Sequence, residues 1–399
     1  MNKCKVTTKD LISIMSFGKM PIANGFIDKN GFDKEFFFEM EIGFNEELSL
    51  LQLIDHPEPE AMFNKNYPFF TSSSKYMISH FKNYSQWISK NYGSNLKKII
   101  EIGSNDGTFL KNFNNTNIQS IGFEPSLNVS EEAIKQGINS KNSFFNLDSI
   151  EEEKKFHGQT DIICAANVIC HIPDLKNLFI SVDKCLNQKG LFIFEEPYLG
   201  SMFAKTSYDQ IYDEHIFMFS ASSVQKICKL FDMELIDILK QETHGGSLRY
   251  VCARKNAYPI KNNVSFFLDE ENKNNLDNSK SCFQFKKNCE DSKKKLVNKL
   301  SALKENGKKI CGYAATSKST TILNYCDVGS EIIDFICDTT PEKIGKFSPG
   351  KHIPIKSMDY FYKNYPDIAF LFAWNHKKEI FEKEKEFSQK GKWIAHVEL

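Results

Sequence analysis

The stretch Glu101-Ile102-Gly103-Ser104-Asn105-Asp106-Gly107 constrains the chain more than any other. Before it, Lys97 to Ile100 ends in an apolar run that reads as a buried strand; after it, Thr108 to Phe113 begins a helix, expected over 106–113. A strand, a tight glycine turn and a helix make a cradle for a small molecule. Glycine lets the backbone approach a ligand, and the new helix offers it free N–H groups. Asn105 stands where a dinucleotide fold places a second glycine, and asparagine tolerates left-handed dihedrals. The spacing is not G-x-G-x-x-G, which argues against NAD. The next strand, Ser120 to Phe123, is followed by Glu124, whose carboxylate is placed to accept both ribose hydroxyls of a nucleoside.

With 399 residues the chain exceeds one core of ordinary size, and three units are expected: 1–75, 76–258 and 259–399. In the first, Ser16 to Asn24 is rich in turn formers, Glu35 to Ile42 reads as an exposed strand, and Leu48 to Ile54 as its partner. The second alternates strands at 98–102, 119–123, 161–167, 190–195, 234–240 and 248–254 with helices near 76–91, 127–136, 174–186 and 222–231. Ser73 or Ser74 caps the first of these helices. The last two strands are joined through His244-Gly245-Gly246 and pair as a hairpin. Residues 262–306 read as one long solvated helix with an apolar seam of Phe283, Phe285, Leu296, Leu300 and Leu303. The third unit repeats the α/β pattern, with strands at 309–315, 334–338, 368–374 and 393–397. Its small-residue turn opens the helix Thr316 to Tyr325, a phosphate-type site with Lys318 in the first turn.

Lys+Arg and Asp+Glu number 51 each, so nothing favours nucleic acid as a partner. The longest apolar run, Ile368 to Trp374, falls far short of the ~20 residues of a membrane span. The eleven cysteines include no C-x-x-C pair, and the N-terminus is polar, so a reduced, cytoplasmic monomer is expected.

The densest polar–aromatic stretch, Tyr208 to Phe217, follows the strand that ends at Glu195-Glu196-Pro197-Tyr198. Ligands of open α/β sheets sit at the carboxyl ends of strands, which places this loop over the cradle. His215 suits proton abstraction, Glu214 would orient it or raise its pKa, and Tyr212 would hold an oxyanion. His171, after the third strand, faces the same cleft.

On these motifs the chain resembles the sugar C-methyltransferases, which methylate nucleotide-linked keto-deoxysugars. Tyr212-Asp213-Glu214-His215 and Gly245-Gly246-Ser247-Leu248-Arg249 carry most of the likeness, which also runs through Gly18–Phe26, Tyr67–Ser74, Asn167–Pro173, Gly312–Tyr325, Asp338–Pro354 and Trp374-Asn375. The resemblance implies a small N-terminal module, a class I methyltransferase Rossmann-like domain closed by an antiparallel hairpin, and a second Rossmann-like domain for the nucleotide. It implies S-adenosylmethionine on Glu101, Gly103, Asn105, Gly107, Glu124 and Asn167, and substrate on Arg249, Lys318 and Ser247. His215 would be the base, with Glu214, Tyr212, His171 and Tyr67 around it; Phe70 is the other aromatic able to match Tyr67. The family's N-terminal zinc is not expected: of its four cysteines only Cys4 remains, with Thr7, Asn45 and Leu48 at the other places. A carbon is nucleophilic only beside a carbonyl, so the chemistry needs a base, an enolate stabiliser and a nearby methyl donor. A sugar O-methyltransferase and an idle nucleotide-sugar-binding subunit are the alternatives.

Overall fold

The structure, a computed structural model, describes residues 2–65, 67–114 and 116–398. Its first unit is an antiparallel meander of β1 (Ile12–Pro21), β2 (Phe37–Asn45) and β3 (Leu50–Leu53). The stretch read as turn-rich is mostly strand: Gly18, at φ +78°, absorbs a register shift between β1 and β2, and the turn proper begins only after Pro21. A fourth strand completes the sheet from outside the unit. It is Phe217–Met218, directly after the Tyr212–His215 motif, paired with Leu51 and Gln52. The sheet of the first unit therefore takes its last strand from the second. At the places of the family's zinc ligands, Asn45 Oδ1 accepts the Leu48 N–H at 2.8 Å and Asn45 Nδ2 donates to Thr7 Oγ1 at 3.5 Å, while Cys4 and Leu48 share one core. Hydrogen bonds and packing join these four positions.

The second unit opens with α1 (Lys75–Tyr92), capped by Ser74, whose side chain accepts from the Met77 N–H. A seven-stranded sheet follows: β4 (Lys98–Ile102), β5 (Gln119–Phe123), β6 (Ser140–Lys141), β7 (Thr160–Ala166), β8 (Leu186–Pro197), then, past β9 (Phe217–Met218), β10 (Met233–Gln241) and β11 (Ser247–Arg254). The order is β10-β11-β8-β7-β4-β5-β6, with only β11 antiparallel to its neighbours. Helices α2 (Leu127–Lys135), α3 (Leu175–Cys185) and α4 (Ala221–Leu230) cover its faces. Strand order reverses at β4, between β5 and β7, and a ligand crevice opens there. The helix expected at 106–113 is only a four-residue 3-10 turn, Leu110–Phe113. Asn105 and Gly107 both hold positive φ, so the chain cannot enter an α-helix before them.

The long helix is broken in two, α5 (Asn262–Lys273) and α6 (Ser279–Glu305), at an asparagine-rich bend where Asn275 is left-handed and Asn278 caps α6. The buried seam of α6 is Cys282, Phe285, Cys289, Leu296 and Leu300; Phe283 faces solvent.

The third unit is an all-parallel sheet of five strands rather than four: β12 (Ile310–Tyr313), β13 (Phe335–Asp338), β14 (Ile355–Ser357), β15 (Ile368–Leu371) and β16 (Lys392–Ile394), in the order β14-β13-β12-β15-β16. Helix α7 (Ser317–Cys326) follows β12, with Thr316 and Ser319 in a capping box. This sheet also reverses direction at its first strand. No helix among the described residues is long and apolar enough to cross a membrane.

Candidate active site

Both reversal points open into one cavity of about 550 Å³. One wall comes from the ends of β4, β5 and β7: Glu101 to Asn105, Phe123 to Pro125, and Ala166 to Val168. The opposite wall comes from the ends of β12, β13 and β15: Thr316 to Lys318, Lys343, and Ala373, Asn375 and His376. Tyr67, His171, Tyr212, Glu214 and His215 lie between.

At the glycine turn, Gly103 has φ +65° and a Cβ there would lie 2.4 Å from Val168 Cγ2. Glycine is required by both dihedral and space. Asn105, at φ +48°, directs its backbone N–H to Glu124 Oε2 at 3.0 Å, and the Ser126 N–H reaches Glu124 Oε1 at 2.8 Å. Two N–H groups fix the carboxylate and leave lone pairs for ribose hydroxyls. Glu101 Oε2, Ser104 Oγ and Asn167 Oδ1 are buried without a partner among the described residues. Burial pushes the Glu101 carboxyl well above its usual range, a cost to ionisation that a cation beside its free oxygen would relieve. A nucleoside with a cationic amino-acid tail meets this donor and acceptor set, and S-adenosylmethionine has that form. Gly107, expected to hold the cofactor, does not line the cavity; it turns the chain away against Ile138.

The Asn105 side chain works elsewhere. Its Oδ1 accepts the Thr71 N–H at 2.8 Å, its Nδ2 donates to Phe69 O at 3.2 Å, and the neighbouring Asp106 Oδ2 accepts the Ser72 N–H at 2.8 Å. The glycine turn thereby straps residues 69–72 across the cavity. Replacing Glu124 by Ala should weaken S-adenosylhomocysteine binding, measured by calorimetry, by roughly 1–3 kcal/mol. Unchanged affinity would remove Glu124 from the cofactor site.

The loop 208–219 is buried throughout and is hydrogen-bonded from all three units. Asp213 Oδ1 accepts the Ala23 N–H at 3.0 Å, Thr321 Oγ1 donates to Ile211 O at 2.9 Å, and the Ile216 N–H donates to Cys170 O at 2.9 Å. Asp209 joins Trp374 Nε1 at 2.7 Å and His396 Nε2 at 3.1 Å. His215 Nδ1 lies 2.7 Å from Gln210 O, which can only accept, so Nδ1 carries the proton. Nε2 is then the acceptor, taking the Tyr212 hydroxyl at 2.7 Å. Burial holds His215 well below its usual pKa and pushes Tyr212 up, so both are neutral.

Glu214 does not orient His215, as the sequence suggested; Gln210 O does. Glu214 Oε1 instead accepts Asn24 Nδ2 at 2.6 Å and Oε2 accepts the Tyr67 hydroxyl at 3.3 Å. Its burial raises the carboxyl to about 7. Tyr67, not Phe70, lines the cavity. His171 stacks on His215 with ring centroids 5.3 Å apart, its Nε2 unpartnered among the described residues, and burial pulls its pKa to about 3. Glu196 holds His171 in place by accepting the N–H groups of Val168, Ile169 and Cys170. Cys170, His171 and His215 bring donor atoms within 4.8 Å of one another. The two rings are only 22° from parallel, so their in-plane lone pairs run side by side rather than converge on an ion, and both His215 nitrogens are engaged.

Lys318 is buried, lines the cavity and makes no hydrogen bond or ion pair among the described residues; burial lowers its pKa. Arg249 and Ser247, expected at the substrate, do not line the cavity. Arg249 sits opposite Glu195 in the β8–β11 register, where its Nε donates to Glu195 Oε1 at 2.7 Å, and its guanidinium lies over the rings of Tyr84 and Trp87. Ser247 Oγ donates to Thr243 O at 2.9 Å. Sequence reading missed Asn24 and Lys343, although both fall in stretches that carry the resemblance. An asparagine after a turn or a lysine in a loop has no periodicity to betray it.

Residues 76–238 match a methyltransferase domain family, and residues 242–397 match a C-methyltransferase C-terminal domain family. The chain is 28% identical over 398 residues to C-methyltransferase NovU of Streptomyces niveus, a span of 98% of this chain and 94% of that protein. Solved structures similar to part of the chain include an S-adenosylmethionine-dependent methyltransferase from Clostridium acetobutylicum, 13% identical over 45% of this chain and 92% of that one with a TM-score of 0.36. Another is an O-methyltransferase of a multienzyme from Brevibacillus brevis bound to S-adenosyl-L-homocysteine, 11% identical over 48% of this chain and 78% of that one, also at 0.36. At that score these structural likenesses carry no weight beside the sequence matches.

Proposed function

We propose that this S-adenosylmethionine-dependent methyltransferase is a C-methyltransferase that methylates a carbon beside the ketone of a nucleotide-linked sugar. The observation that carries this reading is the shared cavity at the two sheet reversals, with a ring of titratable groups between its walls. One wall suits the cofactor. The other offers the N-terminus of α7 with Lys318 and Lys343, which suits a diphosphate.

S-adenosylmethionine supplies, when bound, an electrophilic methyl group on sulfur. The residues make the substrate carbon nucleophilic. His215 Nε2 takes the proton α to the ketone, and the C–H electron pair stays on the substrate as its enolate. Tyr212, released from Nε2, turns its hydroxyl to the enolate oxygen. The imidazolium keeps its Nδ1–H on Gln210 O, and the ionised Glu214 carboxylate offsets the new positive charge. Neutral His171 offers its unpartnered Nε2 in the same wall.

Exchange tests the enolate apart from methyl transfer. In heavy water, with S-adenosylhomocysteine in place of the donor, the enzyme should put deuterium into a nucleoside-diphosphate-linked ketodeoxyhexose only at carbons beside the ketone. An O-methyltransferase or an idle binding subunit would give no exchange, and either result overturns the proposal.

A further inference from the structure

We propose that Asn24 is a positioning residue for this reaction: its carboxamide, reaching in from the first unit, fixes the Glu214 carboxylate in the cavity and keeps it ionised. The inference rests on the reading of Glu214 given above. Asn24 lines the cavity beside Glu214, and its Nδ2 donates to Glu214 Oε1 at 2.6 Å. A carboxamide N–H that donates to a carboxylate favours the charged form and sets its rotamer.

The turn that carries Asn24 is held on both sides. The Ala23 N–H donates to Asp213 Oδ1 at 3.0 Å, and Ala23 O accepts Thr320 Oγ1 of α7 at 2.8 Å. One residue of the first unit is thus gripped by the catalytic loop and by the third unit, and the next residue enters the cavity. The backbone grip survives side-chain substitution at position 24, so a variant there tests the carboxamide rather than the turn.

The groups facing Glu214 divide clearly. Lys343 from the third unit favours its ionisation and the Tyr67 hydroxyl donates to it, while Asp213, beside it on the loop, is pushed well above its usual range by burial and by the Glu214 charge and stays neutral. The neighbouring Tyr212 and Cys170 are neutral, each raised by burial and by the Glu214 charge. Against that balance, desolvation brings the carboxyl to about 7. Loss of the Asn24 hydrogen bond therefore decides whether Glu214 is charged at neutral pH.

The test is an infrared titration of the carboxyl band that disappears in Glu214→Gln, in full-length protein without substrate. The wild-type midpoint should lie at about 7. In Asn24→Ala it should rise by about one pH unit, the size of one lost bond to a charged group. Asn24→Asp should raise it further, and Asn24→Ser, which keeps a donor, should restore part of the shift. Exchange into the ketodeoxyhexose at neutral pH should fall roughly fivefold in Asn24→Ala and recover as pH rises. S-adenosylhomocysteine affinity should stay within about twofold, since Asn24 stands apart from the glycine turn and Glu124. The same midpoint in wild type and Asn24→Ala, with S-adenosylhomocysteine still bound, would make Asn24 merely structural. If instead Glu214→Gln exchanges at the wild-type rate, the role given to Glu214 falls, whatever the titration shows.

Discussion

His215→Ala should lower kcat by about 10²–10⁴, the usual worth of a general base. The tautomer of this imidazole is fixed by a backbone carbonyl, with Nε2 left as acceptor. Its removal also leaves the Tyr212 hydroxyl without its present acceptor. S-adenosylhomocysteine affinity should barely change, because His215 hydrogen-bonds Gln210 and Tyr212 rather than the glycine turn. His215→Gln, which can still accept from Tyr212, separates the two losses. It should keep the cavity ordered and remain as slow as His215→Ala in both turnover and deuterium exchange. Near wild-type exchange in His215→Ala would move the base elsewhere in the ring, to His171 or Glu214, and would leave carbon methylation standing.

Gly245→Ala should destabilise the protein by roughly 2–4 kcal/mol, as the sum of a left-handed alanine and an overpacked contact. Gly245 has φ +82°, and a Cβ there would lie 2.2 Å from Cη2 of Trp374. That indole cannot retreat freely, because its Nε1 donates to buried Asp209, which also holds His396. The glycine pair between β10 and β11 is therefore where the second unit lets the third come close. In a Trp374→Ala background the same substitution should cost only the backbone part, about 1 kcal/mol. Equilibrium urea unfolding of the four proteins measures the difference. Equal costs in both backgrounds would show that the indole contact is not the cause.

Much of the cofactor half was legible in the sequence because its signals are local. A turn that must hold positive φ, and an acidic residue at the end of the next strand, follow from chain geometry alone. The 208–217 loop was legible because so many polar and aromatic side chains together at a strand end need partners. Arg249 and Lys318 show where that legibility stops. Both are basic residues just past a small-residue turn. Arg249 lies within β11 directly opposite Glu195, so the antiparallel register neutralises it inside the sheet. Lys318 lies in the first turn of a helix that faces the cavity, with no such partner. Register decides between a structural ion pair and a binding group, and register is set by strands distant in sequence. The break at Asn275 was hidden differently: charge alternation runs unbroken across it, and only a left-handed asparagine marks the bend.

The two-residue strand β9 has a consequence for anyone building hybrids of this enzyme with its relatives. A crossover at the start of α1 would seem to exchange one unit for another cleanly. It would in fact pair the sheet of one parent with the Phe217–Met218 strand of the other, and meet Asp213 and Glu214 with a foreign Ala23-Asn24 turn. Parents that differ in those few positions would yield hybrids that fold yet misalign their own 208–219 loop. Exchange of residues 12–53 together with 207–219 keeps sheet, turn and loop from one parent.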